Sequence, residues 1–132
     1  MKISQIDVRS METGVELELL DINGEQFPED ERAYIKVRSV YSEHAQKVRA
    51  EQAIKVAEDV KNGIEIDEVA ENVEILLSLV IGWRGFEDED GNEIKYSEEL
   101  MKEYLTNHIL IRNQVNNFVM NKNNFLGSIA KT

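Results

Sequence analysis

Hydrophobic and polar residues alternate with a period of two through Val15-Glu16-Leu17-Glu18-Leu19, the pattern of a strand with one buried face. Residues 33–40 repeat it: Ile35 and Val37 point one way, Lys36 and Arg38 the other. Between the two runs, Asn23-Gly24 predicts a tight hairpin turn, because both residues tolerate a positive φ. A short return strand at Glu25-Gln26-Phe27 would be stopped by Pro28. Pairing residues 33–40 beside residues 15–20 would set Lys36 and Arg38 near Glu16 and Glu18. Residues 3–8 are read as one more strand.

The period then lengthens. Ser42 is a candidate N-cap for a helix over residues 43–61, with Ala45, Val48, Ala53, Val56, Ala57 and Val60 as its inner face. Asn62-Gly63 ends it. A second helix starts near Asp67, with Glu68 in the first turn, and carries Val69, Ala70, Val73, Leu76, Leu77 and Val80. Its apolar band widens toward Ile81, which marks that end as the centre of the core. After an acidic turn, Ser97 caps a third helix, and Tyr96 is placed to staple against Met101. The apolar face runs on through Leu105, Ile109, Val115 and Val119, with a break expected near Thr106-Asn107. Residues 122–132 lack periodicity and are expected to fray. The predicted class is α+β: a short N-terminal antiparallel β unit (residues 1–41) packed on a mainly α-helical part (residues 42–121), in one domain of 132 residues.

Composition narrows the function classes. Hydrophobic residues make up 42% of the chain and charged residues 31%, enough apolar surface for a core. No apolar run reaches membrane-spanning length, and the N-terminus lacks a secretory pattern. Cysteine is absent, which excludes disulfides and thiolate chemistry and agrees with a cytoplasmic location. Lys and Arg number 15 against 26 Asp and Glu, a formal net charge of −11. That charge repels phosphate backbones, so nucleic acid is not an expected partner, and without a spanning run neither is a membrane. It serves either to keep the protein dispersed or to steer a basic partner.

The candidate chemistry is thin. An EF-hand loop begun at Asp88 puts Asp90, Asn92 and Glu99 at ligand positions, but Glu93 falls where the sharp turn needs glycine. Begun at Phe86, the loop gains Gly91 at that turn and loses its first and last ligands to Phe86 and Ser97. A solvated Asp90-Gly91 turn is the simpler reading. His44 and His108 have no ligand pattern around them, and His108 is read as a core histidine on an apolar helical face. There is no nucleophile elbow and no phosphate loop, so no catalytic residue, metal or cofactor is expected and the protein is read as a non-enzyme. The aromatic residues remain. Trp83 and Phe86 flank Arg84-Gly85 and serve either to seat the turn on the core or to anchor a partner, since Trp and Arg are enriched at interface hot spots.

Gly82-Trp83-Arg84-Gly85-Phe86, followed by Asp88-Glu89-Asp90-Gly91-Asn92, Tyr96-Ser97 and Leu100, resembles the core signature of small phage tail assembly chaperones. In those proteins an apolar helix ends in a Trp-x-Gly motif, then an acidic Asp-Gly turn, then a capped leucine-rich helix. The upstream order is similar too, with Ile35-Lys36-Val37-Arg38-Ser39-Val40 before Ser42, as is the closing Asn123-Asn124-Phe125. The resemblance implies a phage or prophage protein that binds the tape-measure protein, keeps it dispersed and helps recruit tail-tube subunits. The resemblance leaves room for a frameshifted longer product. The expected partners are therefore the tape-measure and tail-tube proteins, with a homo-oligomer also open. The candidate protein-binding residues are Trp83, Arg84, Phe86, Tyr104 and Phe118. The competing function is that of an acidic DNA mimic, or regulatory protein, bound to a basic nucleic-acid enzyme.

Overall fold

Three strands and five helices make up the fold in a computed structural model, which describes residues 1–127. Strands β1 (Val15–Glu18), β2 (Tyr34–Val37) and β3 (Val80–Arg84) form an antiparallel sheet in the order β1-β2-β3. The helices are α1 (Ser10–Thr13), α2 (Glu43–Lys61), α3 (Glu68–Leu79), α4 (Glu98–Asn107) and α5 (Ile109–Met120). The class is α+β. Leu17, Ile35 and Val37 are buried beneath the sheet, against Val73, Leu76, Leu79, Met101, Leu105, Val115 and Val119 from the helices. The alternation explains the sheet: Glu16 pairs across from Lys36, and Leu17 from Ile35. Among the described residues no helix is long and apolar enough to cross a membrane.

The helix starts follow local chemistry. Ser42, Asp67 and Ser97 each accept a hydrogen bond from the backbone N–H three residues on. The helix break falls at His108, whose backbone ends α4 and opens α5. The Arg112 guanidinium reaches back to the Leu105 and Thr106 carbonyls, both at 3.1 Å, and satisfies the end of α4. His108 is therefore exposed at a bend rather than buried on a helical face.

Five further expectations change. First, residues 3–8 form a 3-10 turn at Ile3–Gln5 and a coil, not a strand. Asp7 Oδ1 accepts the Arg9 backbone N–H at 3.1 Å, a local bond that competes with strand pairing. Second, the hairpin turn is wider than a two-residue loop. Asp21 Oδ1 accepts the N–H groups of Asn23 and Glu25, both at 2.9 Å, and only Gly24 takes a positive φ. The return strand shrinks to one bridge between Leu20 and Gln26.

Third, α3 stops at Leu79 and continues without a loop into β3. The Arg38 N–H bonds the Leu79 carbonyl at 2.8 Å, and the β-branched Val80-Ile81 pair suits the strand that follows. The sheet thus draws its third strand from the region expected to be helical. Fourth, α2 turns Ala45, Val48, Gln52, Val56 and Asp59 inward, while Ala53, Ala57 and Val60 are exposed. One short helix, α3, covers one stripe only, and the Gln52 amide fixes the rotation by donating to the Glu71 carbonyl at 2.8 Å.

Fifth, the tail is anchored as far as it is described. A 3-10 turn at Lys122–Phe125 drives the Phe125 ring into the core, 5.7 Å from that of Phe118. The Ser10 hydroxyl donates to the Phe125 carbonyl, and the Gly127 N–H bonds the Asp7 carbonyl at 2.8 Å. These contacts hold a segment that has no periodicity of its own. Residues 128–132 lie outside the described part of the chain.

The same N-terminal clasp contains a charged pair. The Arg9 guanidinium lies 2.6 Å from the Asp7 carboxylate. That bond, reinforced by the Arg9 backbone N–H, holds the Asp7 carboxyl down to about 2 against an ordinary 3.8. A lowered folded-state pKa stabilises the fold fully above about pH 4, and the contribution is lost as pH falls through about 2. Asp7→Asn is expected to lower the melting temperature near neutral pH, with the gap to the parent closing between about pH 4 and pH 2. A gap that stayed constant through that window in a thermal-melt series would contradict this.

Candidate protein-binding site

Trp83, the one tryptophan, sits opposite Ile35 in the β2–β3 pairing and turns toward the helices. Its indole N–H donates to the Ile94 carbonyl at 2.8 Å, which fastens the far side of the acidic turn to the sheet. Phe86 and Tyr96 pack on the indole at 4.7 and 4.9 Å, and Tyr104 from α4 stacks on it at 5.4 Å. His108 closes the row, 5.6 Å from Tyr104. Such contacts each stabilise by about 1 kcal/mol beyond the area buried. Within the turn, Asp88 Oδ1 accepts the Asp90 and Asn92 N–H groups, both at 2.9 Å. The Asn92 bond is the main reason that the Asp88 carboxyl is held below its usual range. This carboxylate oxygen is thus engaged in shaping the turn. Among the described residues no group of three His, Cys, Asp or Glu side chains is placed to hold a metal ion.

Three of the five candidate residues therefore meet: Trp83, Phe86 and Tyr104. Arg84 follows Trp83 on the strand and lies on the opposite face of the sheet. Its guanidinium makes two bonds to the Glu16 carboxylate, at 2.7 and 3.2 Å, and lies 3.9 Å from the centre of the Tyr34 ring. Phe118 is on α5 against Phe125, in the tail anchor rather than the aromatic row.

Phe86 has a second neighbour. It forms part of the floor of an open groove of about 610 Å³ between the residue 19–33 hairpin and the start of α5. Ile22, Phe27, Leu110 and Ile111 supply most of the rest of the apolar lining, and Asp21, Glu31 and Glu87 stand in its wall. Ile22 is 77% exposed and Leu110 45%. The groove is held open by two crossed bonds: the Leu20 N–H donates to the Gln114 side-chain Oε1 at 2.8 Å, and the Gln114 side-chain Nε2 donates to the Leu20 backbone carbonyl at 3.0 Å.

The profile of the YdaY prophage protein family matches residues 29–125. The chain belongs to this prophage family. No match emerges among curated proteins or among solved structures. The family match runs from the turn before β2 through the buried Phe125, so it takes in the whole aromatic row and the tail anchor. It also takes in the groove floor at Phe86 and one wall, at Glu87, Leu110 and Ile111. Of the hairpin wall, Asp21, Ile22 and Phe27 lie N-terminal to the match, and Glu31 and Ala33 lie within it.

Of the five candidate residues, only Phe86 lines the groove. Two local signals were present. Ile22 is an apolar residue inside a polar turn, and Ile109-Leu110-Ile111 is a run that one helical face cannot bury entire. Neither signal shows that the two segments meet.

Proposed function

We propose that this chain is a tail assembly chaperone, a non-enzymatic protein that acts in the host cytoplasm during tail morphogenesis. It binds the tape-measure protein, covers apolar helical surface before assembly, and helps deliver tail-tube subunits. The observation that carries this reading is the pairing of a prophage family with an apolar groove on a chain of net charge −11. A groove of this kind offers an apolar surface for a partner helix, and the charge keeps the complex dispersed. The Trp-x-Gly joint and capped helix that resemble the tail chaperones add to it.

Co-expression tests the proposal. The tagged chain is produced together with the tape-measure and tail-tube proteins of its own prophage. The tape-measure protein is expected in the soluble fraction, co-purifying with the tag; its recovery only in the pellet, with or without the chain, would overturn the proposal.

A further inference from the structure

The groove beside Phe86 has a chemistry that selects its occupant. Its floor is apolar, whereas the ionisable groups along it are Asp21, Glu31, Glu87 and the imidazole of His108; no lysine or arginine lines it. None of the three carboxylates is in an ion pair among the described residues. We propose that the groove docks an amphipathic helix of the partner whose apolar row is flanked by lysines or arginines. The apolar row would lie on Phe27, Phe86 and Leu110, with the cations reaching the carboxylates.

Two features argue that the site is built before the partner arrives. The crossed bonds between Gln114 and Leu20 tie the hairpin to α5. Gly85 brings the end of β3 against the Arg32 backbone on the other side. A preformed groove costs little ordering on binding. A second copy of the chain is a poor occupant, because a symmetric contact through this face would bring the two sets of carboxylates together. The identity of the partner rests on the chaperone reading, but the chemistry of the groove does not.

The test uses a fluorescently labelled Leu/Lys helical peptide of about fifteen residues, with a Leu/Glu peptide of equal length as counterpart. The Leu/Lys peptide is expected to bind and the Leu/Glu peptide not. The triple variant Asp21→Asn, Glu31→Gln, Glu87→Gln is expected to weaken binding about tenfold, and Leu110→Ser to a similar degree. These are surface positions, and circular dichroism is the check that the variants fold. A remote triple, Glu51→Gln, Glu58→Gln, Glu103→Gln, removes the same charge and is expected to leave binding within about twofold. Equal weakening by the two triples would overturn the inference, as would equal binding of the two peptides. A concentration-dependent dimer that Leu110→Ser abolishes would also overturn it, in favour of a second copy. Co-purification with the tape-measure protein separates this inference from the chaperone reading. If co-purification fails while the groove still binds the Leu/Lys peptide, the chaperone reading falls and the groove stands. If co-purification survives both groove variants, the groove inference falls.

Discussion

Replacing Phe125 with alanine is expected to destabilise the fold by about 4 kcal/mol, which for a domain of this size lowers the melting temperature by about 15 °C. The ring is fully buried, in contact with the same core as Ile35, Val115 and Val119. Its removal loses the transfer free energy of the side chain and leaves a cavity against Phe118. Two hydrogen bonds, from the Ser10 hydroxyl and the Gly127 N–H, hold the tail where that cavity would form, so the surroundings have limited freedom to collapse. A frayed tail predicts the opposite: truncating a solvated ring would change stability by less than about 0.5 kcal/mol. Denaturant unfolding of the two proteins, with unchanged slope, decides between them. A loss below about 1 kcal/mol would show that Phe125 is not part of the core.

The second large effect is expected at Gly85. Its φ of +87° lies where an alanine costs about 1–2 kcal/mol. A Cβ there would also collide with the Arg32 carbonyl oxygen and approach the Ala33 Cα to 3.0 Å. Backbone on the facing segment has to move, and such overpacking adds about 1–3 kcal/mol. Gly85→Ala is therefore expected to cost about 3 kcal/mol in total, summed from these two effects. Gly91 is the internal control. It lies in the same joint at a φ of +81°, with open space around its would-be Cβ. Gly91→Ala carries the conformational cost alone, about 1 kcal/mol. Thermal melts that rank the two variants equal would rule out the close approach of Gly85 to Arg32.

What could be read from the sequence was what neighbouring residues decide. The span of α2 was legible because Ser42 and Asn62-Gly63 act within one turn of the helix ends. The faces of β1 and β2 were legible because alternation sets them. β3 was not, since Val80–Arg84 extends the apolar run of α3 and only pairing with β2 makes it a strand. The tail is illegible for a related reason: Phe125 is held by Ser10, 115 residues away, and lack of periodicity says nothing about such a partner. The buried stripe on α2 is narrower than its apolar pattern because α3 covers only one side, which the sequence does not show.

The candidate site divides the same way. Trp83, Phe86 and Tyr104 could be grouped because the first two share a turn and Tyr104 lies on the helix that Ser97 caps. Arg84 follows Trp83 in sequence yet lands across the sheet, a consequence of strand alternation. The groove needs three segments at once, the 19–33 hairpin, residues 85–87 and residues 108–114, and no one of them carries its meaning alone.

The loopless passage from α3 into β3 makes the groove and the core thermodynamically one object. Leu79 is wholly buried, Val80 nearly so, and six residues later Phe86 forms part of the groove floor. The hairpin wall is held to α5 by Gln114, so the groove persists only while the fold does. A partner that fills it thereby acts on the folding equilibrium of the whole chain by mass action, adding about 2.7 kcal/mol at a hundredfold excess over Kd. Occupancy and conformational stability are linked quantities here, and a shift in the unfolding midpoint reports on docking at a distance from every probe.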